Sequence, residues 1–282
     1  MFLSFSLNGT EVSFLGSSQI NFLMYDVSVY KDRRLKEEVM KYMDAHVHLK
    51  NRNDEVLDVN ALLKEMDSAE IEKVFLMPAT SKLEDNEMML EAIKGHEDRF
   101  IPFAFMNPYH PDCVERFRRY VCENGVKGLK LHPVIDAYPA DRAYMLDPLL
   151  TICDEYHLHC IMHCTSDAPN SSPLQAERTA RRWPKVTFQL AHMGGCWLAD
   201  DAIKVCLRND NIYLDGSTVS LSAVKRAVKA CPDKFLMGTD IPFYHFEMEK
   251  LKMRLATDDE CTLDKIMGGN MQALIEERGW QI

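Results

Sequence analysis

The sequence has no apolar run near 18 residues, so it contains no candidate for a membrane-spanning helix. It also has no stretch rich in lysine and arginine. Its 33 basic residues stand against 43 acidic ones, which gives a formal net charge of −10 over 282 residues. Because phosphate contacts need a basic face, this balance argues against nucleic acid as a partner. The apolar segment 1–7 lacks the basic flank of a signal peptide, and we expect a cytoplasmic protein.

Two kinds of motif are missing as well. None of the 12 glycines forms the G-x-G-x-x-G or Walker pattern of a phosphate-binding loop, so the sequence gives no reason to expect a nucleotide cofactor. The nine cysteines are odd in number, and no two of them have C-x-x-C spacing. Reduced thiols in a cytoplasmic protein fit this distribution.

The first forty residues differ from the rest. Two runs of alternating apolar and polar residues, around 4–7 and 11–14, flank Asn8-Gly9, and Asn-Gly between alternating runs is the strongest short-range signal for a β-hairpin. The charged stretch 31–41 predicts a short helix. We therefore expect residues 1–40 to form a hairpin with a short helix that packs on the main body, and residues 41–282 to form that body.

From residue 42 onwards, short apolar runs alternate with longer amphipathic ones. The short runs predict eight strands, at 42–48, 71–77, 100–106, 126–132, 158–163, 186–192, 211–215 and 234–238. The longer runs predict helices at 58–69, 84–96, 111–124, 141–157, 172–183, 198–209 and 219–231, with a last pair at 258–267 and 269–278. Strands that alternate with helices pair in parallel. The pattern predicts an α/β fold, a (β/α)₈ TIM barrel with a short N-terminal β-hairpin appendage; an open doubly wound sheet is the alternative.

Functional residues of such a barrel lie at the C-terminal ends of its strands. Five of the ten histidines fall at predicted strand ends, and Asp240 follows the eighth strand. These histidines are His46, His48, His132, His163 and His192. Because His46 and His48 are two residues apart, they point to the same face and can bind one ion. Imidazole nitrogens suit Zn²⁺ or a similar transition metal, and a carboxylate completes the set. His159 lies before the fifth predicted strand proper and is expected to face a helix or solvent.

Several phrases of the sequence carry a family resemblance. They are Met-Asp-Ala-His-Val-His at 43–48, Gly-Leu-Lys-Leu-His-Pro at 128–133, Ile-Met-His at 161–163, Leu-Ala-His-Met-Gly-Gly at 190–195, Met-Gly-Thr-Asp-Ile-Pro at 237–242 and Ile-Met-Gly-Gly-Asn at 266–270. Through them the sequence resembles the amidohydrolase superfamily of metal-dependent barrels over about residues 42–280. The nearest branch is the one that also holds aminocarboxymuconate-semialdehyde decarboxylase.

This resemblance implies roles for the residues at the strand ends. His46, His48, His163 and Asp240 would bind a divalent metal, and His192 would be a further ligand or would polarise the substrate. Asp240 would also shuttle a proton, because an adjacent carboxylate can take the proton of a metal-activated water. The catalytic residues expected from the resemblance are thus Asp240 and His192.

Lys130 leaves the number of metal ions open. Binuclear members of the superfamily carry a carbamylated lysine on the fourth strand that bridges two ions, and Lys130 lies on that strand. Lys130 and His132 share a face, so either of them could instead line the substrate pocket. We expect one or two ions, zinc first, with manganese, iron, cobalt or nickel as alternatives.

Three functions compete at this stage. The first is a hydrolase that attacks a small amide, ester or lactone with a metal-activated water. The alternative is a non-oxidative decarboxylase of a small unsaturated or aromatic acid, which an arginine such as Arg52 or Arg142 in the pocket would favour. The third, remote, is a non-catalytic ligand-binding barrel. The expected partner is a small-molecule substrate, with neither nucleic acid nor membrane, and the sequence leaves a homo-oligomer open.

Overall fold

The structure is a computed structural model that describes residues 3–7, 10–14, 42–49, 51–52, 55–56, 58–166 and 168–280. Its contacts divide the chain into two compact units, residues 1–39 and 40–282, which are treated separately. Among the described residues, no helix combines the length and the apolarity that crossing a bilayer requires.

The first unit contains a β-hairpin. Strand β1 (Leu3–Leu7) pairs antiparallel with β2 (Thr10–Phe14), so that Leu7 lies opposite Thr10. The predicted Asn8-Gly9 turn and the predicted helix at 31–41 lie outside the described residues. The packing of residues 1–40 on the main body stays a prediction.

The second unit is the predicted TIM barrel. Its eight parallel strands are β3 (Tyr42–Leu49), β6 (Ile71–Pro78), β7 (Phe100–Phe105), β8 (Gly128–Leu131), β9 (His159–His163), β10 (Thr187–Ala191), β11 (Ile212–Asp215) and β12 (Phe235–Leu236), hydrogen-bonded in this order. Two short strands, β4 (Asn51–Arg52) and β5 (Glu55–Val56), pair antiparallel after β3. The segment after β12 bonds back to β3, through Ala45 N to Met237 O (2.8 Å) and Asp240 N to His46 O (2.8 Å), and so closes the ring.

Helices connect the strands as the sequence pattern predicts. They are α1 (Val59–Ser68), α2 (Leu83–Ala92), α3 (Cys113–Asn124), α4 (Ala143–Glu155), α5 (Pro173–Arg182), α6 (Ala199–Leu207), α7 (Leu221–Ala230), α8 (Phe246–Ala256), α9 (Glu260–Asp264) and α10 (Asn270–Glu277). Local sequence signals fix several ends. Ser172 and Gln175 form a capping box at the start of α5, and Gly125 adopts the left-handed conformation that ends α3.

Helix α8 is absent from the sequence prediction. Its buried positions are Phe246, Glu249, Lys250 and Met253, so two of its four inward residues are charged. Lys250 donates to the backbone oxygen of Ala69, and Glu249 pairs with Lys252. Because these inward charges interrupt the apolar stripe, the 3.6-residue pattern is not visible in the sequence.

Alternation along the strands separates two apolar cores. Val74 and Leu76 of β6 belong to a large cluster, whereas Phe75 and Met77 belong to a smaller one that also includes residues of α10. On β3 the alternation breaks: Ala45 lies in the smaller cluster and Val47 in the larger one, and the pairing with β6 shifts register between Asp44 and Val47. Such an irregularity re-aims the side chains that follow it, here His46 and His48.

A substitution of Gly128 on β8 would test this packing. A Cβ at Gly128 would lie 2.0 Å from a ring carbon of Phe103 and 2.6 Å from the backbone oxygen of His159. We expect Gly128→Ala to lower the free energy of unfolding by about 3 kcal/mol, the upper end of the usual overpacking cost. Urea unfolding measures this, with Lys225→Ala, a change at an exposed helix position, as the control. Equal midpoints for the two variants would contradict the close approach.

Candidate active site

The predicted site residues lie at one end of the barrel. His46 and His48 are on β3, Lys130 is on β8, and His163 is the last residue of β9. His192 follows β10 directly, and Asp240 lies four residues after β12. These positions are the C-terminal strand ends, where parallel barrels assemble their sites from separate strands.

Three side-chain atoms meet closely at this end. The Nε2 atoms of His46 and His48 are 3.3 Å apart. Asp240 Oδ1 lies 3.4 Å from His46 Nε2 and 3.6 Å from His48 Nε2. His46 is fully buried, and His48 and Asp240 are each 8% exposed. Two imidazole nitrogens and one carboxylate oxygen therefore face a common point.

The second nitrogen of each of these histidines is fixed by an acceptor. His48 Nδ1 is 2.8 Å from the backbone oxygen of Pro78, and His46 Nδ1 is 2.7 Å from Asp215 Oδ2. A carbonyl or carboxylate oxygen accepts, so Nδ1 carries the proton in both rings and Nε2 has a lone pair. Burial and the charge of Lys130 lower the pKa of His48 well below its usual range, so it stays neutral.

Asp215 is the buried anion behind His46. Burial alone would raise its pKa, but the adjacent His46 and the hydrogen bonds from His46 and Ser217 bring it below the usual range. Its Oδ1 accepts from the backbone N–H of Ser217 at 2.7 Å. Asp215 is therefore a carboxylate that holds the His46 ring in one tautomer and one orientation.

This donor set fits a divalent cation. Two lone pairs and a carboxylate oxygen within 3.6 Å of one another repel unless a positive charge lies among them. Lys130 Nζ meets this need in part, because it lies 3.0 Å from His46 Nε2. Nitrogen and oxygen ligands of this kind suit zinc, manganese and related ions.

His192 extends the donor set. One donor atom each from His46, His192 and Asp240 lie within 4.8 Å of one another. The Nδ1 atom of His192 lies 2.9 Å from Ser217 Oγ and 3.2 Å from Thr218 Oγ1, both on the loop after β11. Burial, followed by the neighbouring His46, lowers the pKa of His192 to about 3. His192 is thus a neutral imidazole held by the next loop.

His163 lies beside these donors. Its ring stacks on His132 with centroids 3.6 Å apart and meets His192 edge-on at 4.8 Å. Its Nε2 is 3.3 Å from Thr165 Oγ1, and its Nδ1 is buried without a hydrogen-bond partner. A buried nitrogen without a partner is costly, and a ligand would relieve that cost. Its predicted role as a ligand stays a prediction.

His132 lines the cavity with a neutral ring. Its Nδ1 accepts from the backbone N–H of Ile135 at 3.2 Å, so Nδ1 has no proton and Nε2 carries one. Burial and the charge of Lys130 lower the pKa of His132 to about 2, in agreement with a neutral ring. The ring also lies nearly parallel to Phe105, with centroids 6.2 Å apart. His132 is therefore a fixed, neutral donor.

Lys130 is 1% exposed and has carboxylates near it. Burial lowers its pKa to about 8, and the nearby charges of Asp240 and Asp215 limit the decrease. The contact of its Nζ with His46 Nε2 places Lys130 against the donor atoms. Whether it bridges two ions as a carbamate stays a prediction, as does the number of ions.

Three of the donors, His48, His192 and Asp240, line a cavity of about 510 Å³. This size suits a small organic molecule. Its polar lining consists of His48, Lys130, His132, His163, His192, Thr218 and Asp240. Its apolar lining consists of Ala79, Phe105, Ile135, Phe243 and Tyr244. Ile135 and Phe243 are 65% and 60% exposed, so an apolar rim surrounds a polar base.

Strained backbone surrounds the cavity. Thr218, His192 and Asp240 have φ angles of 62°, 63° and 60°, and Met193 has a φ of 32°. This left-handed region is unfavourable for residues other than glycine, above all for a β-branched threonine. Such strain of about 1–3 kcal/mol per residue persists where the surroundings hold it, and it concentrates at functional sites.

Several residues escaped the sequence analysis. Asp215 ends β11 and could have been found by the same strand-end rule that found the histidines. Gln189 and His159 lie inside the barrel strands and carry no such signal. The expectation that His159 faces a helix or solvent is wrong, because its side chain is fully buried and lies against Phe75 and Phe103.

The two candidate arginines do not supply a described contact in the cavity. Arg142 lies over the ring of Tyr144, 5.8 Å from its centroid, and is not part of the lining. The side chain of Arg52 lies outside the described residues. Within the described part of the chain, Lys130 is the cation that lines the cavity.

Comparison with known proteins is consistent with this geometry. The family model described as "Amidohydrolase" matches residues 41–274. No curated protein matches the sequence. Among solved structures, 5-carboxyvanillate decarboxylase from Sphingomonas paucimobilis has a TM-score of 0.68 at 14% identity, covering 84% of this chain and 99% of its own. The 2,6-dihydroxybenzoate decarboxylase from Rhizobium has a TM-score of 0.68 at 16% identity, covering 84% and 99%.

A third similar structure was determined with an ion. It is a dihydroxybenzoic acid decarboxylase from a Polaromonas species with bound manganese and the inhibitor 2-nitroresorcinol. Its TM-score is 0.68 at 16% identity, covering 84% of this chain and 97% of its own. At these identities the similarity establishes the shared barrel fold.

Asp215 provides a test of the donor set. Asp215→Asn removes the charge that holds His46 in its Nδ1–H tautomer, so we expect Mn²⁺ and Zn²⁺ to bind about 10–100-fold more weakly, the usual cost of losing such a partner. Competition with a fluorescent chelator measures the affinity. The matched control is Asp136→Asn, a buried carboxyl whose hydrogen bond comes from Ser81. Equal affinities for the two variants would contradict the role of Asp215.

Proposed function

This chain belongs to the amidohydrolase family, and from that premise we propose that it is a metal-dependent, non-oxidative decarboxylase of a small aromatic or otherwise unsaturated carboxylic acid. The sequence analysis ranked this reaction second, after hydrolysis. The charge balance of the cavity base favours it, and so does the occurrence of carboxyvanillate and dihydroxybenzoate decarboxylases among the similar structures.

The charge balance is the observation that carries the proposal. The charged groups against the donor atoms are Lys130, with one positive charge, and Asp215 and Asp240, with two negative charges. The histidines of the cavity that carry a lowered pKa are neutral. A divalent ion changes the net charge of this group of residues at the bottom of the cavity from minus one to plus one. A monocarboxylate then neutralises it, whereas a neutral amide or ester leaves it positive.

The metal would be held by His46, His48, Asp240 and His192, with His163 beside them. When bound, a divalent ion supplies a Lewis acid that polarises a substrate oxygen. Manganese is bound in the Polaromonas decarboxylase, and the nitrogen and oxygen donors here suit manganese and zinc alike. We therefore propose a divalent ion without restricting it to zinc.

The chain's own residues would orient the substrate. The ammonium of Lys130 is the counter-charge for the carboxylate, and His132 Nε2–H donates to an oxygen of the same molecule. Phe105 and Tyr244 offer flat apolar walls for an unsaturated skeleton. This arrangement turns the carboxylate towards the polar base and keeps the rest of the substrate under the apolar rim.

Asp240 would carry the proton. In this reaction the bond between the ring carbon and the carboxylate carbon breaks, CO₂ leaves, and the same ring carbon gains one proton. Asp240, a carboxylate when the substrate binds, would take up that proton from solvent through the cavity mouth and deliver it from Oδ to the ring carbon, which returns Asp240 to the carboxylate form. His192 would stay neutral and fixed by the loop after β11, so it would help to hold the ion without changing its own charge.

The experiment that tests this proposal compares two reactions on the same protein. Metal-loaded protein is offered 2,6-dihydroxybenzoate, 5-carboxyvanillate and a panel of related unsaturated acids, and CO₂ release is measured. A parallel panel of small esters, amides and lactones is followed by acid release. CO₂ release that disappears on chelation supports the proposal. Hydrolysis without CO₂ release would instead support the hydrolase, and inactivity on both panels would support the non-catalytic barrel.

Asp240 gives a sharper prediction for whichever substrate is turned over. Asp240→Asn cannot exchange the proton, so we expect kcat to fall by roughly 10²–10⁴-fold, the usual contribution of general acid–base catalysis. Because Asp240 also contacts the donor atoms, kcat is measured at saturating metal, with metal content and circular dichroism as controls. Turnover within threefold of the parent would show that Asp240 is not the proton carrier.

His132 separates substrate binding from chemistry. His132→Ala removes the Nε2–H donor, and we expect KM to rise about tenfold, the effect of one hydrogen bond to a charged group. His132→Gln can place an amide N–H near the same position and should recover most of the loss. If both variants raise KM equally, or if kcat falls with KM unchanged, His132 does not act as this donor.

The remaining expectations stay open. A cytoplasmic location, a homo-oligomer and the absence of nucleic-acid and membrane partners are predictions from the sequence. The two-ion arrangement through Lys130 is also a prediction, and metal content per chain would distinguish it from a single ion.

A further inference from the structure

We propose that Gln189 is a positioning residue for the metal centre, which acts through Asp215 and His46 without touching metal or substrate. This inference rests on the proposed metal centre. Gln189 lies in the middle of β10, is fully buried and points into the barrel, between outward Phe188 and Leu190. No feature of the sequence analysis singled it out.

The hydrogen bonds of Gln189 have only one possible direction. Its Nε2 lies 3.0 Å from the backbone oxygen of Ala45 and 3.0 Å from Asp215 Oδ2. A carbonyl oxygen can only accept, so the amide nitrogen must be on this side, and its two hydrogens are both used. Gln189 therefore binds both the residue that precedes His46 and the carboxylate that orients the His46 ring.

His159 holds the other end of the amide. His159 Nε2 is 3.0 Å from Gln189 Oε1, and an amide oxygen only accepts, so His159 Nε2 carries the proton. The opposite nitrogen, His159 Nδ1, is buried without a hydrogen-bond partner. A strip of directed hydrogen bonds thus runs from His159 through Gln189 and Asp215 to His46, and all four residues are fully buried.

The strip controls where Asp215 points. Asp215 Oδ2 receives hydrogens from His46 Nδ1 at 2.7 Å and from Gln189 Nε2 at 3.0 Å, and Oδ1 receives one from Ser217 N at 2.7 Å. Without Gln189 the oxygen that faces His46 loses its second donor. The carboxylate can then rotate away from His46, and the tautomer that presents Nε2 to the ion loses part of its support.

The test is the affinity for Mn²⁺ and Zn²⁺ alone, measured by chelator competition. Gln189→Met keeps the size of the side chain and removes both donors, and we expect roughly tenfold weaker binding, the lower end for partners behind a metal ligand. The control is Phe188→Leu, a buried change on the same strand that faces away from Asp215. It should lose stability without losing affinity.

A double-mutant cycle distinguishes positioning from a purely structural role. If Gln189 acts through Asp215, adding Gln189→Met to Asp215→Asn should change the affinity less than twofold. A second full tenfold loss in that background would overturn the inference, as would parent-like affinity in Gln189→Met alone. If the methionine variant does not fold, Gln189→Asn replaces it in the cycle. Asparagine is one methylene shorter, so its amide donor lies further from Asp215.

The outcomes separate this inference from the proposed function. A parent protein that binds neither ion would refute the metal centre and, with it, the role of Gln189. A parent protein that binds, with Gln189→Met binding equally well, would refute the role of Gln189 alone. The tautomer of His46 in the metal-free protein, read from ¹⁵N chemical shifts, gives a readout independent of the ion. We expect the Nδ1–H form to lose population in Gln189→Met.

Discussion

The hydrogen bond from His46 Nδ1 to Asp215 Oδ2 is the constraint on which the rest of the site depends. A neutral imidazole has one proton, and its position decides whether Nε2 offers a lone pair or a hydrogen to the cavity. With the proton on Nδ1, Nε2 of His46 faces Nε2 of His48 and a carboxylate oxygen of Asp240. A positive charge among these atoms offsets their mutual repulsion, and the ammonium of Lys130, 3.0 Å from His46 Nε2, supplies one in part.

The site is assembled where the barrel closes. His46 and His48 lie on the first strand, and Asp240 lies in the segment after the last strand, so these donors meet only when the ring closes. Asp44 links the two segments, because its Oδ1 accepts from the backbone N–H groups of His46 and Thr239 at 2.8 and 3.2 Å. A single buried carboxyl thus joins folding to the geometry of the donors. Burial raises the pKa of Asp44 well above the usual range, and the hydrogen bonds from His46 and Thr239 lower it in part.

The sequence predicted the eight-stranded barrel and named the strand-end histidines, Lys130 and Asp240 that line the cavity. The eight strands and the positions of the histidines follow from alternating apolar runs, because each run is short, buried and bounded by amphipathic helices. The register shift on β3 could not be predicted, since it depends on pairing with β6. Helix α8 was not predicted, because its inward-facing charged residues interrupt the apolar pattern in the sequence. Gln189 and His159 were missed for a related reason: a polar residue inside a strand looks like an outward position until the structure shows what it faces.

A polar strip inside a barrel has a cost that apolar packing would avoid. TIM barrels usually fill this space with branched apolar side chains, yet here His159, Gln189, Asp215 and Lys130 occupy it. The strip leaves His159 Nδ1 without a partner, and burying such an atom costs about 1–3 kcal/mol. Branched residues at these positions would remove that cost, but they would leave His46 free to exchange tautomers. The polar interior therefore makes the fold less stable but fixes the orientation of the His46 ring. The residues that fix this ring lie on strands and not in loops. A site anchored in this way keeps its donors in place. Substitutions in the exposed rim around Ile135 and Phe243 would therefore not displace these donors.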